Sequence, residues 1–251
     1  MFSRFSLLQK AFRQKNLTLT KRAHSKRAIE AALEHPDEHQ SSGKYLGDAV
    51  YGALDGIVTT FAIVAGVMGA DLGLNVILIL GLANLLADGF SMATGRYLSL
   101  RSEQDYAKEE YLREAWEVEN YPEGEIEEIR QIYKRKGFEG KDLDRAVAII
   151  TSDKERWIKT MMLEELGITP EPKSPFTAAG VTFAAFVGCG FLPLLTFMLL
   201  YFFPSWKENA FLISCVVTAF TTFVIGSIRS FIIAKSWFMA GLEMLLLTAA
   251  A

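Results

Sequence analysis

The chain has 251 residues, 51% of them hydrophobic and 22% charged, with a formal net charge of −3. This near-neutral balance lacks the basic excess typical of a nucleic-acid-binding protein, and no nucleic-acid partner is expected. The two cysteines, Cys189 and Cys215, lack CxxC spacing and argue against a disulfide framework or a thiolate metal centre.

Charge is segregated along the chain. Nine of the 26 Lys and Arg residues lie in residues 1–44, fourteen lie in 96–175, and three lie elsewhere. Between these blocks are five apolar stretches, at about 46–70, 74–100, 176–203, 209–232 and 236–251. Four of them reach the roughly 20 residues that a helix needs to cross a bilayer. The pattern predicts an all-α, polytopic membrane protein with about five transmembrane helices, three of them in residues 176–251. The last has 16 residues from Ser236, so that it is short or truncated.

Residues 1–44 form a basic arm before the first span. No acidic residue precedes Glu30, which favours an arm held near anionic lipid over the alternative of an organelle transit peptide. If this arm and residues 101–170 are both cytosolic, Lys207 is the only basic residue on the opposite side of the membrane. The distribution follows the positive-inside rule and predicts that both segments are cytosolic.

The first two spans occupy residues 45–100, and the second is predicted to continue beyond the membrane. No proline occurs from Asn75 to Glu119, so that one helix of about 70 Å is expected there. Residues 101–170 are then predicted to form a cytosolic, metal-binding domain of three helices. The second of these helices is expected at about 123–136 and the third at about 141–166.

Seven side chains of this predicted domain have the spacing of a metal site. They form two pairs of Glu three residues apart and one Met-Met-x-x-Glu, offsets that share a helix face. The seven are Glu114, Glu117, Glu125, Glu128, Met161, Met162 and Glu165. Carboxylates alone suit Mg²⁺ or Ca²⁺, whereas thioether sulfur shifts the preference toward a softer ion such as Fe²⁺. From the residues alone, a solvated acidic face with methionines in the core is the other interpretation.

Polar side chains also follow the first two spans. In span one they recur every three or four positions, and in span two every four positions. The span-one stripe is Asp48, Gly52, Asp55, Thr59, Ala62 and Gly66, and the span-two stripe is Asn84, Asp88, Met92 and Arg96. Charged groups inside a membrane are costly and are usually functional. The candidate transport-path residues are Asp48, Asp55, Asp88 and Met92. The other interpretation is a buried structural ion pair, such as Asp88 with Arg96 or one at Asp48 near the membrane interface.

Span one also carries a GxxxG pair, Gly52 and Gly56. Pairs of this spacing let two helices approach closely. Because this pair lies together with the polar stripe, we expect a homodimer in which two copies of span one meet, so that each Asp of the stripe faces its two-fold copy.

Several of these motifs together resemble a known family. They are Asp55-Gly56-Ile57-Val58-Thr59-Thr60, Ser91-Met92-Ala93, the long insert after span two, and Gly241-Leu242-Glu243-Met244-Leu245. Over residues 44–251 the chain resembles the vacuolar iron transporter family. The resemblance implies a dimer of five-span protomers that exchanges cytosolic Fe²⁺ for protons along a path lined by Asp55 and Met92. It also implies that the seven side chains of the insert bind metal. One departure is Arg96, where the family carries Glu after Gly.

The expected function is transport of Fe²⁺, or of Mn²⁺, out of the cytosol in exchange for protons, with no permanently bound cofactor and no enzyme activity. The alternative is a membrane-anchored metal sensor or store. A di-iron enzyme is disfavoured because such sites use Glu-x-x-His, and His24, His35 and His39 all precede residue 40. The expected membrane is the inner membrane if the source is bacterial, and the vacuole or another endomembrane if it is eukaryotic.

Overall fold

The computed structural model of the chain describes residues 4–34, 43–169, 172–200, 202–230 and 236–250. Within these ranges the structure contains helices and no β-strand, which confirms the predicted all-α class. The helices are α1 (Arg4–Arg13), α2 (Leu17–Ala23), α3 (Lys26–Glu34), α4 (Leu46–Gly69), α5 (Leu74–Asn120), α6 (Pro122–Arg135), α7 (Gly140–Thr151), α8 (Lys154–Glu164), α9 (Pro175–Leu199), α10 (Ala210–Arg229) and α11 (Trp237–Ala250).

Within the described ranges, four helical segments are long and apolar enough to cross a membrane. They are α4, α5, α9 and the segment Pro204–Arg229, in which a short 3₁₀ helix leads into α10. The apolar helix α11 has 14 residues, which corresponds to about 21 Å of helix and is less than the ~30 Å hydrocarbon layer. The described residues therefore contain four candidate spans and one shorter apolar helix.

Helix α5 is a single helix of 47 residues, as the absence of proline predicts. It ends at Asn120, and Pro122 begins α6 at a position where its missing N–H is not needed. The chain divides into two compact units at this helix. The span unit comprises Met1–Arg96 and Phe176–Ala251, and the inserted unit comprises Tyr97–Pro175.

The inserted unit has an apolar core of its own, with Ile129, Ile158 and Met161 fully buried. The prediction of one helix at about 141–166 is wrong, because the chain forms α7 and α8 there. The break occurs at Asp153, whose Oδ1 accepts a hydrogen bond from the Arg156 backbone N–H at 2.8 Å. An aspartate in this role satisfies a backbone donor that the first turn of a helix leaves free, and it therefore begins a new helix.

In the span unit, α4 and α9 meet without side chains between them. A Cβ atom on Gly52 would overlap the backbone carbonyl oxygen of Thr182, and one on Gly56 would overlap that of Phe186. The two glycines thus contact α9 of the same chain, and the prediction that they join two copies of span one is wrong. GxxxG spacing specifies that a helix approaches closely, but not which helix does so.

This contact predicts that Gly56→Ala destabilises the protein. The added methyl group has to push two backbones apart, and overpacking of this kind costs about 1–3 kcal/mol. The midpoint of thermal unfolding in detergent should fall for Gly56→Ala. It should not fall for Gly188→Ala on α9, because nothing lies within 4 Å of a Cβ at Gly188. Equal midpoints for the two variants would contradict the α4–α9 contact.

Candidate functional site

The polar stripes of α4 and α5 together are called the polar seam. Its deeper level is the one farther from the inserted unit along α5, and it consists of two carboxylates on neighbouring helices. Asp55 on α4 and Asp88 on α5 are both partly buried, and they are close enough for their charges to repel each other. Among the described residues neither forms a salt bridge. Charged carboxylates inside a membrane are unfavourable unless a cation or a proton neutralises them. The pair is therefore an incomplete site that favours a cation or a proton as its occupant.

A second level of the seam lies closer to the inserted unit along α5. Here the Arg96 Nε donates a hydrogen bond to Asp48 Oδ1 at 2.5 Å. The Asp48 side chain is 4% exposed and that of Arg96 is 25% exposed. The alternative pairing of Arg96 with Asp88 is wrong. The two residues are eight positions apart on one helix, or roughly 12 Å, which is too far for a salt bridge.

Met92, the remaining predicted path residue, is partly buried. It packs against the apolar core of the span unit. That core contains residues of α4, α5 and α9, so that Met92 contributes to the packing of the span unit.

Three helices of the inserted unit bring the predicted carboxylates together. Helix α5 supplies Glu114 and Glu117, α6 supplies Glu125 and Glu128, and Glu165 caps the end of α8. Glu114 lies within electrostatic range of Glu165, Glu117 and Glu128. Glu128 lies close enough to Glu165 to make ionisation of the Glu165 carboxyl group less favourable.

Burial makes this cluster unusual. Glu114 is 1% exposed and Glu125 is 5% exposed, and the Oε2 atom of each is buried without a hydrogen-bond partner. Unsatisfied buried carboxylate oxygens are rare and costly, and they indicate a missing proton or ion. Met161 and Met162 are also buried, as part of the apolar core of the unit.

The electrostatics of the cluster favour protonated carboxyl groups. The pKa of Glu114 is raised to about 7, first by burial and then by the charge of Glu165, while Arg113 partly opposes the rise. The pKa of Glu125 is also raised to about 7, by burial and then by Glu128 and Glu114. The pKa of Glu165 is raised by removal of its carboxyl group from water and by Glu128. Near neutral pH, protons therefore occupy part of the cluster.

A guanidinium group balances the remaining charge. Arg113 lies 3.1 Å from Glu114 Oε1, 3.5 Å from Glu117 Oε2 and 2.7 Å from Glu110 Oε2. The sequence prediction omits Arg113, although its offsets of three from Glu110 and four from Glu117 are those of helical ion pairs. Across the described part of the chain, no three His, Cys, Asp or Glu side chains are already arranged to hold a metal ion. A metal would have to displace protons and Arg113.

The raised pKa values predict how the stability of the metal-free inserted unit depends on pH. Unfolding returns Glu114 and Glu125 to their ordinary pKa of 4.5. Unfolding then releases protons between about pH 4.5 and 7, so that stability should fall as pH rises through this window and level off above it. Chemical denaturation of segment 97–175 in the presence of a chelator, from pH 5 to 8, measures this. Glu114→Gln should flatten the slope, and stability that increases across the window would contradict the assignment.

His35 and His39 lie outside the described residues. His24, at the end of α2, is exposed, and its Nδ1 lies 2.9 Å from the Thr20 carbonyl oxygen. The described residues thus provide no histidine at either carboxylate cluster.

Apolar helices that carry ionisable side chains define a class, the polytopic helical membrane proteins that handle ions. The chain matches the model of the VIT family over residues 46–251. A protein of Toxoplasma gondii named "Vacuolar iron transporter" is 40% identical over 86% of this chain and 74% of its own length. A protein of the same name from Plasmodium berghei is 32% identical, over 95% and 89%. "Vacuolar iron transporter 1" of Arabidopsis thaliana is 33% identical, over 76% and 76%. The chain belongs to the VIT family and is a membrane transporter, not an enzyme.

Proposed function

We propose that this protein moves Fe²⁺ out of the cytosol in exchange for protons. The observation that carries the proposal is the pairing of Asp55 with Asp88 inside the span unit, without a basic partner among the described residues. The names of the similar proteins support iron as the ion. Mn²⁺ is the next expected substrate, since it prefers similar ligands and differs from Fe²⁺ mainly in softness.

Proton exchange follows from the cost of charge in a membrane. Two neighbouring carboxylates, Asp55 and Asp88, repel each other in a medium of low dielectric constant, and a cation between them removes that repulsion. When the ion leaves, protons take its place, and when an ion binds, protons are released. The two flows are thereby linked at one site.

The carboxylates of the inserted unit bind the ion on the cytosolic side in this proposal. Binding requires Glu114 and Glu125 to lose protons, which occurs readily because their pKa values are about 7. Met161 and Met162 would favour Fe²⁺ over Mg²⁺ through their thioether sulfurs. Their burial requires a local adjustment of the core before either sulfur reaches an ion.

The proposed arrangement has the basic arm 1–44 and the inserted unit in the cytosol, with α11 as the fifth, short span. The membrane is that of the vacuole or another endomembrane, as in the names of the similar proteins. We also propose a homodimer through α4. Asp55 and Thr59 are only partly covered by their own chain, and Ala62 and Gly66 are exposed. A second copy would cover this polar face more favourably than lipid would.

The test is ion flux into sealed vesicles that contain the purified protein. Fe²⁺ and Mn²⁺ uptake should accelerate when a pH gradient supplies protons from the opposite side, and the external solution should change pH as the ions enter. Zn²⁺ and Co²⁺ serve as comparison ions. Binding of metal without uptake would overturn the proposal and would favour a sensor or store.

A further inference from the structure

The span unit contains a charge pair that lies in line with the deeper carboxylates. Asp48 lies seven residues before Asp55 on α4, and Arg96 lies eight residues after Asp88 on α5. By helical rise, both offsets place the Asp48–Arg96 pair roughly 10–12 Å from the Asp55–Asp88 pair along the helix axes. The seam therefore has two charged levels, one above the other.

The two levels differ in how their charge is balanced. At the deeper level, two carboxylates repel each other, and no salt bridge to either is found among the described residues. At the outer level, the nearly fully buried Asp48 is in contact with a guanidinium group. A buried carboxylate without a counter-charge is strongly destabilising, so that some cation has to be present at Asp48. In this structure the cation is Arg96.

Arg96 differs from a permanently fixed counter-ion in its exposure. Its side chain is 25% exposed, whereas that of Asp48 is 4% exposed. A long, flexible side chain that its own chain does not enclose can leave its partner and carry its charged end toward the aqueous boundary. The carboxylate cannot do the same, because it is held against α5 by burial.

We propose that Arg96 is a tethered cation that competes with the transported metal ion for Asp48 and thereby sets the apparent affinity of transport. The inference rests on the proposed function, since it assumes that ions reach Asp55 and Asp88 past this pair. A metal ion approaching Asp48 has to displace the guanidinium group, and a positive charge beside the route lowers the local concentration of cations. Arg96 therefore acts on KM, while the deeper carboxylates control the maximal rate.

The experiment measures initial Fe²⁺ uptake against Fe²⁺ concentration in vesicles that contain the full chain. Arg96→Gln removes the charge at similar length and should lower KM by about fivefold or more, with the maximal rate within about twofold of the starting protein. Asp48→Asn keeps the positive charge of Arg96 but removes the carboxylate that would bind the metal ion, and it should raise KM. Arg96→Lys keeps the charge and should change KM little. Arg101→Gln is the matched control, because Arg101 pairs with Asp105 at an exposed site on the same helix.

A purely structural pair gives a different result. Arg96→Gln and Asp48→Asn would then both lower thermal stability and the maximal rate. The two substitutions would not shift KM in opposite directions. That result would overturn the proposal. If Arg96→Gln does not fold, the rise in KM expected for Asp48→Asn still decides, and an unchanged KM rejects the competition.

A second readout does not require transport. A Glu114→Gln/Glu125→Gln background weakens metal binding by the inserted unit. In that background the metal-induced thermal shift of the detergent-solubilised protein, with Mn²⁺ as the probe, reports chiefly the span unit. Arg96→Gln should lower the Mn²⁺ concentration at half-maximal shift, and no change would overturn the inference about Arg96. Absence of Fe²⁺ uptake by the unmodified protein, with this shift intact, would instead reject the proposed function.

Discussion

Replacing Asp55 with Asn should stop Fe²⁺ flux and leave metal binding by the inserted unit unchanged. The substitution keeps the shape of the side chain but removes the group that exchanges a proton for an ion. We expect the flux to fall by about a hundredfold or more, because a neutral amide cannot offset the dehydration of a divalent ion in the membrane interior. Uptake into vesicles measures the flux, and calorimetry on the same preparation measures binding.

The matched control for Asp55 is Asp71→Asn. Asp71 lies in the turn after α4, is exposed, and has a φ of 54°, a conformation that Asn also adopts readily. This variant makes the same chemical change outside the seam, and its flux should equal that of the unmodified protein. If Asp55→Asn vesicles still accumulate Fe²⁺ with an undiminished response to a pH gradient, the coupling group is elsewhere, with Asp88 as the next candidate.

Replacing Glu114 and Glu125 together with Gln should weaken metal binding by the inserted unit by about a hundredfold, since two charged ligands are lost. The dependence on pH should change as well. In the unmodified protein, affinity should fall as pH decreases below about 7, because protons compete for the two carboxyl groups whose pKa values lie there. Gln does not titrate, so that the double variant should have a much flatter profile.

Calorimetry with Mn²⁺ at pH 6, 7 and 8 gives both the affinity and its slope with pH. Glu109→Gln/Glu123→Gln is the matched control, because it removes the same number of charges from exposed positions on α5 and α6. Equal affinities for the two double variants would indicate that the cluster is a solvated acidic face and not a metal site.

Sequence reasoning is most reliable here for features that one helix determines by itself. The absence of proline between Asn75 and Glu119 predicts the continuous α5, because only local hydrogen bonding and chain length are involved. The break at Asp153 is also local. Asp is a preferred N-cap residue, so that Asp153 is a sequence signal for the start of a new helix.

Features that join two helices are harder to predict. Arg96 repeats with Asp88 along α5, but its partner is Asp48 on α4, and no spacing within one segment indicates that contact. Gly52 and Gly56 likewise predict that another helix approaches α4 closely, but their spacing does not identify that helix as α9. The clustering of Glu114, Glu125 and Glu165 could be anticipated only as three separate faces, since the turns between α5, α6 and α8 determine whether those faces meet.

The contact between α4 and α9 constrains how the seam can open. At Gly56 one main chain touches another, so that no rotamer change can absorb sliding, and the two helices should move as one rigid body. The α5 side of the seam is softer, because Gly81 and Gly89 face the side chains of Leu194 and Phe186, which can repack. We therefore expect the seam to open by rotation of α5 relative to the packed helix pair α4 and α9. Because α5 is one helix without an internal proline, its backbone hydrogen bonds would transmit that rotation along the whole length of the helix.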